Sequence, residues 1–203
     1  MDQKLDELLC ENYPKIFANR YNDTMMTCMA FGIECGDGWF NILDQLCGNI
    51  QQRIDWSVKN NASDIKFEKI HIDVVAGDLT SFNTEYATMG PEFVSRMKSD
   101  LLKMKPRKVR EVIPQVVAIQ VKEKFGTLRF YYNGGDDVIG GMVQMAESMS
   151  GVTCEECGNT GKRYGGGWIT TLCAEHAEKR GLSATTEDDF VKDESEATDD
   201  DNK

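Results

Sequence analysis

Four residues near the C-terminal end of the sequence have the types and spacing of a metal site. Cys154 and Cys157 form one pair, Cys173 and His176 another, and two residues separate the members of each pair. Three thiolates and an imidazole suit one tetrahedral zinc ion, a borderline-soft cation bound by sulfur and nitrogen. The spacing lets both members of a pair reach the same metal, and the fifteen residues between Cys157 and Cys173 bring the second pair back to it. Four protein ligands leave no position for water or substrate, so the Zn2+ is expected to be structural. A redox dithiol at Cys154 and Cys157 is the competing chemistry, and the second ligand pair downstream argues against it.

Other chemistry-bearing patterns fail on their own requirements. The run from Gly158 to Lys162 has Glu156 where a phosphate loop needs glycine and Arg163 where it needs Ser or Thr. Gly36 and Gly38 lack the third glycine of a dinucleotide fingerprint, since Asn41 stands there. The sequence has two histidines, and with His176 assigned to the metal a nucleophilic triad needs His71. His71 falls in an alternating apolar stretch, where a surface or satisfied core histidine is the simpler reading. Asp37 beside Trp39 suits either a polar ligand or a turn before a helix.

These residues need elements to hold them. Residues 2–17 have helical spacing at Leu5, Leu8, Leu9 and Tyr13, and Pro14 interrupts it. The stretch from Met25 to Cys35 is apolar and is expected against the core. Gly36-Asp37-Gly38 reads as a turn, and Trp39 to Val58 as the best amphipathic helix of the chain, ended by Asn60-Asn61. Residues 65–75 read as a strand from the alternation of Ile65, Phe67, Ile70, Ile72 and Val74. Residues 77–90 show no period, and a helix is expected from Pro91 to Pro106. Val116 to Val121 and Leu128 to Tyr132 read as a hairpin joined by residues 122–126, with Gly126 in the turn. Asp136 is placed to cap a helix from Val138 to Met149 with a methionine-rich face, although Gly140-Gly141 costs ~1 kcal/mol per glycine relative to alanine. In the metal segment, the Cys-x2-Cys turn with Gly158 suits a knuckle, Gly161 to Gly167 a loop, Trp168 to Leu172 a strand, and Cys173 with His176 the start of a helix. A short helix ending at Gly181 follows.

The fold class expected is α+β, with a short antiparallel sheet, packed helices and a C-terminal treble-clef-like or zinc-ribbon-like module. The divisions are a body over 1–150, the zinc module over 151–182, and a disordered acidic tail over 183–203. The formal charge is −11, and nine acids against two lysines in the tail supply −7 of it. The body holds a basic run of Lys98, Lys103, Lys105, Arg107, Lys108 and Arg110, joined by Lys122, Lys124, Arg129 and Lys162-Arg163 as a possible phosphate-binding surface. The solvated face of a helix and its exit loop explains the same run, since Glu111 and Glu123 interrupt it. Seven cysteines fit a reducing cytoplasm better than a disulfide scaffold, and for Cys10, Cys28, Cys35 and Cys47, which match no familiar metal spacing, buried free thiols are a simpler reading than a second site. The acidic start predicts no signal peptide, and no run reaches the roughly 18 apolar residues of a membrane span.

Taken in order, Glu34 to Phe40, Gln120 to Tyr132, Met145 to Ser150, Thr153 to Gly158 and Gly167-Trp168 resemble a group of small zinc-ribbon-containing hypothetical proteins of tailed bacteriophages and prophages. The resemblance runs from about Tyr13 to His176, and the acidic tail does not match the group. It implies an accessory protein in the bacterial host cytoplasm that binds a host macromolecule or a defence-system component, and it implies no activity. Two other classes stay open. One is a nucleic-acid-binding protein using the basic run and the zinc module. The other is a ligand-sequestering protein or enzyme with a pocket near Asp37, Trp39 and the hairpin.

Overall fold

The computed structural model describes residues 1–25, 27–165 and 168–182. The acidic tail of residues 183–203 and the glycines 166 and 167 lie outside the described residues. The chain is α+β, and its contacts divide it into two compact units: residues 1–52 with 114–203, and residues 53–113.

In the first unit, α1 (Gln3–Asn12) is capped by Asp2, whose carboxylate accepts the Lys4 amide at 2.9 Å. It stops ahead of Pro14, because the residue before proline is driven out of helical geometry. The apolar stretch after residue 24 is only partly inside. Met29, Ile33 and Cys35 are buried around a 3-10 turn (Cys28–Phe31), whereas Met25 and Phe31 face solvent. β1 (Ile33–Glu34) then runs parallel to β2 (Val117–Lys124), pairing Ile33 with Val121. The sheet is therefore mixed, where an antiparallel one was expected.

β2 pairs with β3 (Thr127–Asn133) as the expected hairpin, but the turn is tighter. Lys124 pairs with Thr127, leaving Phe125 and Gly126 as a two-residue loop with φ of +56° and +75°. Two left-handed residues match the twist of the flanking strands. The register slips between Ala118 and Gln120, and this bulge puts Ala118 and Val121 on the same buried face despite their odd spacing. Asp136 caps α5 (Asp137–Ser150) by accepting the Ile139 amide at 3.1 Å. The helix buries Ile139, Val143 and Ala146, while Met145 and Met149 of its methionine-rich face stay exposed. Side chains at its end reach β3: Glu147 accepts the Phe130 amide at 2.9 Å, and Ser150 Oγ the Leu128 amide at 2.7 Å.

The largest departure from the sequence reading is α2 (Phe40–Val75), which begins in the first unit and continues into the second. Neither a stop at Asn60-Asn61 nor a strand over 65–75 forms. No Gly or Pro stands between residues 49 and 76, so nothing interrupts the helix until Gly77, which takes φ +88°. Of the supposedly alternating residues, Phe67, Ile70 and Val74 share the inward face, while Ile65, Ile72 and Val75 are exposed. That is a helical stripe and not a strand face.

The second unit completes itself with α3 (Thr80–Glu85) and α4 (Pro91–Lys103). Ile70, Val74, Phe82 and Leu101 form its core, flanked by Phe67, Leu79, Tyr86, Val94 and Met97. Its extended exit segment is tied to α2. Arg110 donates to Asp64 through Nε at 2.6 Å and Nη2 at 2.8 Å, and Ser57 Oγ accepts the Ile113 amide at 3.0 Å.

Candidate metal centre

The knuckle is built by backbone first. Gly158 N–H donates to Cys154 O at 2.8 Å, Cys154 N–H to Asn159 O at 2.7 Å, and Gly161 N–H to Val152 O at 2.8 Å. β4 (Lys162–Tyr164) then pairs antiparallel with β5 (Thr170–Leu172), Lys162 opposite Leu172. Lys162 to Tyr164 were expected in a loop and Trp168 in a strand; the first is strand, and Trp168 lies outside β5 with its side chain exposed. Cys173 sits at the N-cap of α6 (Ala174–Lys179), and Gly181 ends that helix in the left-handed region. Knuckle, hairpin and helix follow one another as in a treble clef.

These elements bring Cys154, Cys157, Cys173 and His176 together, with their donor atoms all within 4.8 Å of one another. Cys157 Sγ and Cys173 Sγ are 3.8 Å apart, and His176 Nδ1 lies 3.4 Å from Cys154 Sγ and 3.2 Å from Cys173 Sγ. Sulfurs held tetrahedrally at about 2.3 Å from a metal stand about 3.8 Å apart, so the donor set fits one ion. The His176 amide, in the first turn of α6, helps to hold the Cys173 thiol down to about 7, which favours the thiolate a metal needs.

The ring nitrogen of His176 that faces away from the sulfurs has its own partner. Nε2 is 3.3 Å from Glu156 Oε2, and the other oxygen of Glu156 pairs with Arg180. A carboxylate on the far nitrogen fixes the tautomer and leaves Nδ1 free to ligate. Sequence reasoning passed over Glu156, although its place inside a Cys-x2-Cys pair was a usable signal.

The knuckle is clamped from the other end of the chain. Gly38 N–H donates to Glu155 O at 2.8 Å, Gly36 N–H to Glu155 Oε1 at 2.9 Å, and Glu155 N–H to Thr171 O at 2.9 Å. Burial pushes the Glu155 carboxyl up, against the Gly36 bond that favours its ionised form. A Cβ on Gly38 would lie 2.2 Å from Cys154 O and 2.4 Å from Gly158 N, so only glycine allows this approach. Trp39, fully buried, donates its indole N–H to Thr153 O at 2.8 Å. Trp39 is thus no part of a binding surface, and Asp37 uses Oδ1 to accept the Asp2 amide at 2.6 Å. The sequence from Gly36 to Trp39 packs against the cysteine knuckle.

The cationic residues are divided between the two units. Lys98, Lys103, Lys105, Arg107, Lys108 and Arg110 belong to the second unit, and Lys122, Lys124 and Arg129 to the first. Arg110 is taken by Asp64, Lys108 lies 3.9 Å from Glu111, and Arg107 covers the Phe67 ring at 4.5 Å. Lys122 and Lys124 lie over Tyr131 and Phe125, while Arg129 donates to Thr127 Oγ1 at 2.6 Å. His71 is in α2, not a strand; it is buried in the second unit with Nδ1 3.8 Å from Glu68. Cys10, Cys35 and Cys47 are buried as expected, but Cys28, expected to be buried as well, is exposed.

No protein-family model, curated protein or solved structure matches this chain. Among the described residues, no helix is long and apolar enough to cross a membrane.

Proposed function

We propose that this chain is a binding protein whose fold is closed by a structural zinc ion, acting in the manner of a phage accessory factor on a host macromolecule or defence component. The observation that carries the reading is the completeness of the ligand set. Three sulfurs and His176 Nδ1 converge, and Glu156 occupies the other side of the ring. Such a site supplies folding free energy and has no open position for a substrate. The clamp of Gly36, Gly38 and Trp39 on the knuckle supports the same role, because it converts metal binding into cohesion between the start of α2 and the end of α5. The phage context rests on the ordered motifs from Glu34 to Trp168.

Cobalt substitution tests the closed site. The absorption of a tetrahedral cobalt–thiolate centre should stay unchanged when azide or cyanide is added, whereas a shifted spectrum would mean an open position and would favour catalysis. For the binding role, the metal-loaded chain should retain a reproducible partner from bacterial lysate, and repeated failure to do so would count against it.

A further inference from the structure

The β2–β3 hairpin is closed by a residue that its turn disfavours. Phe125 takes φ +56° at the first position of the two-residue loop, and among the described residues no other non-glycine has a positive φ. Such turns take Asn, Asp or Gly there, because a bulky side chain is strained in the left-handed region. Burial does not offset the strain, since Phe125 is 46% exposed. Strain that packing does not explain points to a role in binding. We propose that the tip and outer face of this hairpin bind single-stranded nucleic acid. The proposal rests on the reading of the chain as a binding protein and names the surface and the chemistry of the partner.

The strand register decides which side chains share that face. Val121 pairs with Phe130 and both are buried, so their neighbours along each strand point the other way. Lys122 opposite Arg129, and Lys124 opposite Thr127, therefore lie on the outer face, as does Tyr131, which is exposed. Each lysine sits over a ring. Lys122 Nζ is 5.7 Å from the centre of Tyr131, and Lys124 Nζ is 5.4 Å from that of Phe125. A further cation reaches the tip from β4, where Arg163 Nη2 donates to the Phe125 carbonyl at 2.8 Å. Glu34, opposite Lys122 on β1, is the acid on this face, and it accepts from Gln120 Nε2 at 3.3 Å. Glu123 pairs with buried Leu128, so it faces the other side, where it accepts the Gly126 amide at 2.6 Å.

Cations alone suit any polyanion, and the rings narrow the choice. Every base has a π face, and an unpaired base is free to stack on an exposed ring, whereas a base within a duplex is already stacked. A base laid on Phe125 or Tyr131 brings its phosphate within reach of the neighbouring lysine. Exposed cation–ring contacts are weak, so the ammonium gives way at little cost. From Thr127 to Tyr131 the strand extends roughly 13 Å at about 3.3 Å per residue, which is room for a few nucleotides. The net charge of −11 acts only weakly here, because physiological salt screens exposed charges beyond about 8 Å.

Fluorescence anisotropy with the full, metal-loaded chain provides the test, using labelled oligothymidylate and oligouridylate of about 12 nucleotides. Binding of either strand is expected, weakening with salt at a log–log slope of about −2 for three phosphate contacts. The matching duplex and an abasic strand of the same length should each bind at least fivefold less tightly. Phe125→Asn suits the left-handed turn, so it should raise the melting temperature while weakening binding at least fivefold. Replacing Lys122 and Lys124 together by alanine should reduce the slope to about −0.7. Equal binding of the abasic strand, or binding indifferent to salt, overturns the proposal. So does a Phe125→Asn chain that binds as tightly as the parent, or one that melts lower, which would show that the ring is kept for packing. Loss of binding on replacing Lys103 and Lys105 instead would move the site to the second unit and overturn it too. A bacterial protein partner lost with Phe125→Asn would assign the tip to a protein. No binding of any oligonucleotide, with a bacterial protein partner still retained, would sink the nucleic-acid face and leave the binding role standing.

Discussion

The indole N–H of Trp39 donates to the carbonyl oxygen of Thr153 at 2.8 Å, joining residues 114 positions apart. Trp39 closes the 3-10 turn (Asp37–Trp39) that leads into α2, and Thr153 immediately precedes the first metal ligand. Replacing Trp39 by Phe keeps an aromatic ring in a fully buried site but leaves the Thr153 carbonyl without this donor. Loss of one partner of such a bond costs about 1–3 kcal/mol. Denaturant melts of the metal-loaded protein should show that loss, and an unchanged midpoint would remove Trp39 from the clamp.

Glu156 should act on the metal through His176. Glu156→Ala removes the carboxylate 3.3 Å from Nε2, at a partly exposed position where the fold tolerates a smaller side chain. Zinc affinity should fall about 10- to 100-fold, with normal folding at saturating zinc. Competition against a chromophoric chelator measures it; affinity equal to that of the parent chain would mean that the imidazole is oriented by something else.

The cysteines should separate by reactivity. Burial, the largest cause, pushes the Cys10 and Cys35 thiols up to about 12, and it raises Cys47 further. Cys28 is exposed. A disulfide reagent near pH 8 should therefore modify Cys28 rapidly in metal-loaded protein, with the three buried thiols reacting only as the chain unfolds. Chelation should release Cys154, Cys157 and Cys173 as a second group. Rapid reaction of those three before chelation would contradict a metal-held set.

Acid should loosen the second unit through Asp64. Its hydrogen bonds and ion pair with Arg110 lower its carboxyl from 3.8 to about 2. A folded-state value below the unfolded one gives stability that is complete above the unfolded value and disappears as pH falls through the folded one. The contribution of this pair should thus fade between about pH 5 and 2, and Asp64→Asn should flatten that part of the stability profile. Parallel profiles for the two proteins would show that the pair contributes nothing.

The clustering of Cys154, Cys157, Cys173 and His176 was legible because its signal is local: two residues of spacing and a soft donor type single out the four before any tertiary contact is known. The hairpin and the Asp136 cap were legible for the same reason. α2 was misread because Ile65, Phe67, Ile70, Ile72 and Val74 satisfy a strand pattern in part and a helix pattern in part, and only the absence of Gly or Pro before Gly77 decides between them. β1 was missed since its two residues pair only with β2, some ninety positions away. The role of Gly36, Gly38 and Trp39 was out of reach for a similar reason. A turn signal says that the backbone bends, but not that a cysteine knuckle will lie against it.

The central claim is that a metal ion held by Cys154, Cys157, Cys173 and His176 closes the fold. Elemental analysis of the purified chain, with thermal melts before and after stringent chelation, tests it most directly. About one zinc per chain should be present, and its removal should lower the melting temperature by many degrees, with recovery on adding zinc. Metal-free protein that melts at the same temperature as the loaded form would contradict it.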